Sequence, residues 1–293
     1  MTISEAKTIV KAFEQNSIPS QEDDESFISA LEFLISEQND KEAMTQLAGF
    51  YYGQKQFDKA LEYYDMATDD ENIQAHIGLG YIWYYGRTGK TDYEKAYEHF
   101  KFAADKGDIN AIYKVADMYR NGFHVEKDYD KYKELMEALY KRVNTNELEW
   151  YHLPEVCARL SRIRKQENKL VEAVDLLMKA RNILEYRLQN NPFFGDLTTM
   201  KFLVKDLYSI IMIDETYFGL YDLFYVLETP KTVSFKYNRR PFTVRAIKSN
   251  NGLAIRFDEE WFRDIDDFFA RACINGKRIT SLNNSLYDFA VEP

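Results

Sequence analysis

The sequence is poor in residues that break or cross-link a chain. Six prolines and twelve glycines among 293 residues argue against long disordered linkers. Only two cysteines occur, Cys157 and Cys273. They form no C-x-x-C unit, so two buried, reduced thiols of a cytoplasmic protein are expected. Histidine is scarce too: His76, His99, His124 and His152 show no i, i+4 pair and no H-E-x-x-H, which points to structural roles and to no metal site. Neither G-x-S-x-G nor a cysteine–histidine signature is present, so no enzyme and no cofactor is expected. The start, MTISEAKTIVKAFEQ, lacks the basic and apolar regions of an export signal. The apolar run IIMI at 210–213 is far too short to span a bilayer. A net charge of −10 disfavours nucleic-acid or anionic-membrane binding by the molecule as a whole.

What the chain has is aromatic side chains and an internal repeat. The segments FDKALEYYDMA (57–67), YEKAYEHFKFA (93–103) and YDKYKELMEAL (129–139) recur at an offset of 36 residues. Each opens on an aromatic, an acid and a lysine. Upstream of each lies another matching stretch: AMTQLAGFYYG (43–53), AHIGLGYIWYYG (75–86) and AIYKVADMYRNG (111–122). Leu47, Leu79 and Val115 correspond, as do Ala48, Gly80 and Ala116, and Tyr51, Trp83 and Tyr119. A small residue beside a large one at helical spacing lets two helices approach closely. The unit is therefore a helix, a turn and a second helix, which must stack on its neighbours to bury its apolar face.

The small–x3–Leu–small–x2–aromatic pattern, followed by Ala–x6–Ala, resembles the tetratricopeptide repeat. The longer inter-helix loop of the second and third units, with YRNGFHVEKDYDKY and AADKGD, resembles the Sel-1-like variety over roughly 42–141. The resemblance implies an α-α superhelix of stacked helix pairs that binds other proteins. A fourth pair is expected at 153–184, with Arg164 where the aromatic would sit. An amphipathic helix at 27–38 is suited to cap the array, and two further helices are expected at 196–213 and 215–228. The expected domains are 1–41, 42–229 and 230–293.

GRTGKT (86–91) ends like a phosphate-binding loop, but the first glycine of that motif would fall on Tyr84 and the stretch follows a helix, not a strand. It is expected to be an inter-helix loop, with Asp92, like Asp128, capping the next helix. At about 100° per residue, Leu79, Gly80 and Trp83 share the packed face, with Ile77, Tyr81 and Tyr84 opposite. In repeats of this type that side lines the groove. The same register selects Tyr52 in the first repeat and Tyr113, Asp117 and Arg120 in the third. Tyr85 falls between the faces.

From Thr232 the period becomes two. Val233, Phe235 and Tyr237, then Phe242, Val244 and Ala246, then Leu253, Ile255 and Phe257 alternate with polar residues, and Asn251-Gly252 signals a hairpin. A helix over 259–274 is expected, with Trp261, Ile265, Phe268, Phe269 and Ala272 on one face, ended by Asn275-Gly276. YDFAVE (287–292) reads as a last strand. The expected architecture is thus mostly α, closed by a small α+β unit. Between Lys231 and Phe257 there are seven basic residues and no acidic one. Among them Lys236, Arg239, Arg240, Arg245 and Lys248 make a basic hairpin. Two readings follow: a scaffold binding another protein or peptide on its groove, or a nucleic-acid-associated regulator using that hairpin.

Overall fold

The computed structural model describes residues 1–15, 20–69, 71–190, 194–212, 218–249 and 252–292. The chain divides into two compact units, Met1–Leu135 and Met136–Pro293.

The first unit is a run of helices packed on their chain neighbours: α1 (Ile3–Gln15), α2 (Gln21–Gln38), α3 (Lys41–Gly53), α4 (Phe57–Ala67), α5 (Ile73–Tyr85), α6 (Tyr93–Asp105), α7 (Ile109–Asn121) and the start of α8 (Tyr129–Thr145). Their beginnings are written in side chains. Asp40 accepts from the Glu42 and Ala43 amides, Asn72 from Ala75, Asp92 from Lys95 and Asp108 from Ala111. Asp128 accepts from Lys131. Each satisfies amides left open at a helix start. Asp92 and Asp128 therefore cap as expected. Gly86 ends α5 with φ of 59°, and a Cβ there would lie 2.8 Å from the Thr91 amide nitrogen, so the turn requires glycine. The amides of Arg87, Gly89 and Asp92 bond the carbonyls of Ile82, Gly86 and Trp83. Within GRTGKT the amides of Gly86, Arg87 and Gly89 are thus spent on closing the loop.

The corresponding positions of the repeats form the core. Leu47, Leu79 and Val115 are buried, with Ala48, Ala116, Ala60 and Ala96 beside them, and Gly80 is buried as well. Tyr132, the departure from alanine in the third copy, is itself buried. Trp83 is half-buried and packs against two successive core clusters.

In the second unit the remainder of α8 is followed by a 3-10 turn (Glu147–His152), α9 (Leu153–Gln166), α10 (Leu170–Asn190), α11 (Phe194–Tyr208), a 3-10 turn (Leu220–Asp222) and α12 (Leu223–Val226). The pair α9 and α10 is the expected fourth unit. The expected helix at 215–228 is much shorter where described; residues 213 and 215–217 lie outside the described residues. An antiparallel sheet of order β4-β3-β2-β1-β7 follows. Its strands are β1 (Thr232–Tyr237), β2 (Arg240–Ser249), β3 (Gly252–Phe257), β4 (Glu260–Phe262) and β7 (Tyr287–Glu292), with the two-residue strands β5 (Cys273–Ile274) and β6 (Lys277–Arg278) pairing separately. Val233, Phe235, Phe242, Val244, Ala246, Ile255, Phe257 and Phe262 are buried. Their alternation along the strands puts them on one face, where Phe257 and Phe262 meet Phe268 edge-on.

Three expectations fail here. Residues 259–274 are not one helix: β4 comes first, and only α13 (Ile265–Arg271) is helical, capped by Asp264. Asn275-Gly276, with φ of 53° and 76°, is the two-residue turn between β5 and β6 rather than a helix stop. Because the helix ends at Arg271, Cys273 lies on a short strand and is exposed, whereas Cys157 is buried. The β1–β2 turn uses Asn238 and Arg239, both at positive φ, which suits a tight hairpin. Asn251 lies outside the described residues, while Ser249 pairs with Gly252.

A polar cluster ties the helices of this unit together. Both Asp222 oxygens accept from Arg181, at 2.7 and 2.9 Å. Tyr208 Oη and the Gly219 amide add bonds of 2.8 and 2.7 Å. Asp222 is fully buried.

Candidate partner-binding face

The first helices of the three repeats bring tyrosines and cations into one band. Tyr52 comes from α3, Tyr81, Tyr84 and Tyr85 from α5, Arg87 from the loop after α5, and Tyr113, Lys114, Asp117 and Arg120 from α7. Arg87 links the first two repeats: its Nε donates to Tyr52 Oη at 3.2 Å, and its guanidinium lies 5.8 Å from the Tyr52 ring, 5.4 Å from Phe57 and 4.9 Å from Tyr85. Lys114 links the next two. Its Nζ donates to Tyr85 Oη at 2.7 Å and lies 5.3, 4.9 and 4.8 Å from the rings of Tyr81, Tyr84 and Tyr85. Arg120 pairs with Asp117 at 3.7 Å and sits 5.5 Å from the Tyr132 ring.

The aromatic part is held rigidly by ring contacts. Tyr84 meets Tyr85, Tyr93 and Phe123 edge-on at 5.0, 5.7 and 5.9 Å, and Tyr93 stacks on Phe123 at 4.2 Å. Such pairs fix side chains that a binding event would otherwise have to immobilise. Burial pushes the Tyr84 hydroxyl up to about 12, with Asp117 adding to it. Burial, reinforced by neighbouring Tyr113, raises Tyr81 further. Both remain neutral donors at any physiological pH.

The structure sorts the sequence candidates. Tyr52, Tyr84, Tyr113 and Arg120 are half-buried. Ile77 is only 7% exposed and packs with Phe100, Ala111 and Val115, so it is a core residue and not part of the groove wall. The single-helix angle ignored α7 of the next repeat, which covers that side. Tyr81 is largely covered as well, edge-on to Phe100 at 5.3 Å, and Asp117 is buried. Tyr85, which the angle left unplaced, is 46% exposed and central to the band. Sequence reasoning missed Lys114 and Arg87. The signal for Lys114 was a lysine in the register position that Gly78 occupies one repeat earlier.

The histidine pair was also out of reach of local spacing. His76 and His99, 23 positions apart, place their Nδ1 atoms 3.0 Å from each other, and His76 stacks on Phe102 at 3.9 Å. One ring must donate and the other accept, so the pair requires at least one neutral imidazole. Burial, and then the charge of His76, pushes His99 down to about 4, against a smaller opposing pull from Asp65. A depressed folded-state value means that this stability is present above about 6.5 and is lost as pH falls towards 4. With the ring partly solvated, the loss is on the order of 1 kcal/mol. Urea midpoints at pH 7 and pH 4.5 should fall further for the wild type than for His99→Gln. Parallel falls would contradict the assignment.

Of the seven basic residues between Lys231 and Phe257, three are ion-paired among the described residues. Lys236 pairs with Asp288 at 2.8 Å, Arg240 with Asp258 at 3.7 Å and Arg256 with Glu259 at 3.2 Å. Arg239 lies in the β1–β2 turn, its amide donating to Tyr287 Oη at 3.0 Å. Arg245 and Lys248 are exposed on β2. Arg245 stands in register with Thr232 and Arg256, and Arg256 with Trp261.

A family model described as Sel1 repeat matches residues 41–72, 73–108 and 109–131. A crystal structure of a Sel1 repeat protein from Oxalobacter formigenes is similar at 16% identity and a TM-score of 0.52, covering 69% of this chain and 75% of that one. The crystal structure of c5321, a protective antigen present in uropathogenic Escherichia coli strains displaying an SLR fold, aligns at 17% identity, covering 65% of this chain and 42% of that one, with a TM-score of 0.44. No curated protein matches the chain. No helix among the described residues is long and apolar enough to cross a membrane.

Proposed function

We propose, from the match of residues 41–131 to the Sel1 repeat model, a repeat class whose members generally serve as protein-interaction scaffolds, that this chain is a non-catalytic adaptor that captures a segment of another protein on the face built by α3, α5 and α7. The observation that carries the reading is the band from Tyr52 through Arg87, Tyr85, Lys114 and Tyr84 to Arg120. It crosses three repeats and combines exposed aromatic surface with cations, the composition of energetic hot spots at interfaces. A peptide laid across it meets rings already fixed by their neighbours, so little side-chain entropy is lost on binding.

The test is a double substitution, Tyr84→Ala with Tyr85→Ala, measured against a peptide selected on the full chain from a random display library. Binding should weaken at least tenfold, about 1.4 kcal/mol, with helical circular dichroism unchanged. Unaltered affinity in the folded double variant would remove this face from the account. Tyr81 is a poorer probe, because truncating it would open the core beside Phe100.

A further inference from the structure

Lys114 is 7% exposed, yet no carboxylate among the described residues lies within ion-pair distance of it. Burying an ammonium costs several kcal/mol unless it is paired. Here one of its three donors goes to Tyr85 Oη, and the ammonium lies 5.3 and 4.9 Å from the ring centres of Tyr81 and Tyr84, within reach of cation–π attraction. The nearest acid on its own helix, Asp117, is engaged with Arg120. Arg87 shows the same want of an acid. It is exposed, donates to Tyr52 Oη and lies against the Tyr85 ring that Lys114 also approaches. Two cations thus converge on one half-exposed tyrosine with no anion between them.

We infer that the Arg87–Tyr85–Lys114 cluster seats an acidic side chain of the captured segment, so that the partner is an extended peptide carrying Asp or Glu in its interior. This rests on the capture reading above. A carboxylate accepts from a guanidinium and an ammonium together, and such charge-assisted bonds are the strong ones. The band continues past the cluster towards Tyr52 on one side and towards Arg120 on the other, so a chain can run through and need not end there. The net charge of −10 does not forbid this, since exposed charges more than about 8 Å away are largely screened at physiological salt.

The experiment selects twelve-residue peptides from a random display library on three full-length proteins: the wild type, Arg87→Gln and Lys114→Met. The wild type should enrich Asp and Glu at one interior position, and both variants should lose that enrichment. A wild-type peptide should bind Arg87→Gln about tenfold more weakly, and changing its acid to the amide should cost the same in the wild type. Peptides without an acidic excess would overturn the inference and leave capture standing, provided they still require Tyr84 and Tyr85. No selected peptides at all would sink capture itself. Acidic enrichment that persists in the variants would place the carboxylate elsewhere. Should Lys114→Met fail to fold, the exposed Arg87→Gln decides alone.

Discussion

Asp222→Ala is expected to destabilise the protein by about 3–5 kcal/mol. The carboxylate is fully buried and accepts four bonds, two from Arg181 and one each from Tyr208 and the Gly219 amide. Removing it strands the guanidinium of Arg181, which is only 8% exposed. The remaining partner, Glu185, reaches Arg181 Nε at 2.8 Å but leaves the fork facing Asp222 unpaired. The cost is the desolvated charge left behind rather than the net worth of the pair. Urea unfolding of Asp222→Ala should show it, and replacing Arg181 with Met in the same chain should recover much of it, because the orphaned charge goes too. A loss below about 1 kcal/mol in the single variant would mean that solvent reaches the guanidinium.

Gly80→Ala is expected to cost about 1–3 kcal/mol despite the better helix propensity of alanine, worth about 1 kcal/mol. A Cβ at Gly80 would stand 2.6, 2.7 and 3.0 Å from Phe100 ring atoms. Phe100 is fully buried and cannot swing away. The overlap forces α5 from α6 or the ring off its rotamer. The companion change Phe100→Leu vacates the overlapping edge, so the double variant should be less destabilised than the sum of the singles. Additive losses would show that the clash is relieved elsewhere. The first and third repeats carry Ala48 and Ala116 in this position, so the glycine answers a local need of the second repeat.

The helical repeats were readable because helix packing leaves its mark at fixed intervals. Leu79 and Gly80 recur as Leu47 and Ala48, and as Val115 and Ala116, and each sits in the core. Asp92 and Asp128 advertised helix starts through their own side chains. The stretch 259–274 misled because short apolar runs fit two periods. Trp261 and Phe262 point to opposite faces of a strand, Trp261 being 55% exposed and Phe262 buried, while Phe268 and Phe269 belong to a helix of two turns. On the candidate face, one helix's angular register put Ile77 with the half-buried Tyr84, although Ile77 is core, because it omitted the neighbouring repeat. Lys114, Arg87 and the His76–His99 pair depend on contacts between residues 23–35 positions apart, which no local pattern carries.

The central claim, capture on the first-helix face, is tested most directly by photocrosslinking. A benzophenone amino acid at position 85 or at position 261 is irradiated with a peptide selected on the wild-type chain, and the adduct is located by mass spectrometry. Position 85 should give a crosslink that excess unlabelled peptide abolishes, and position 261, on the sheet, should give none. A competed crosslink at position 261 with none at position 85 would contradict the account.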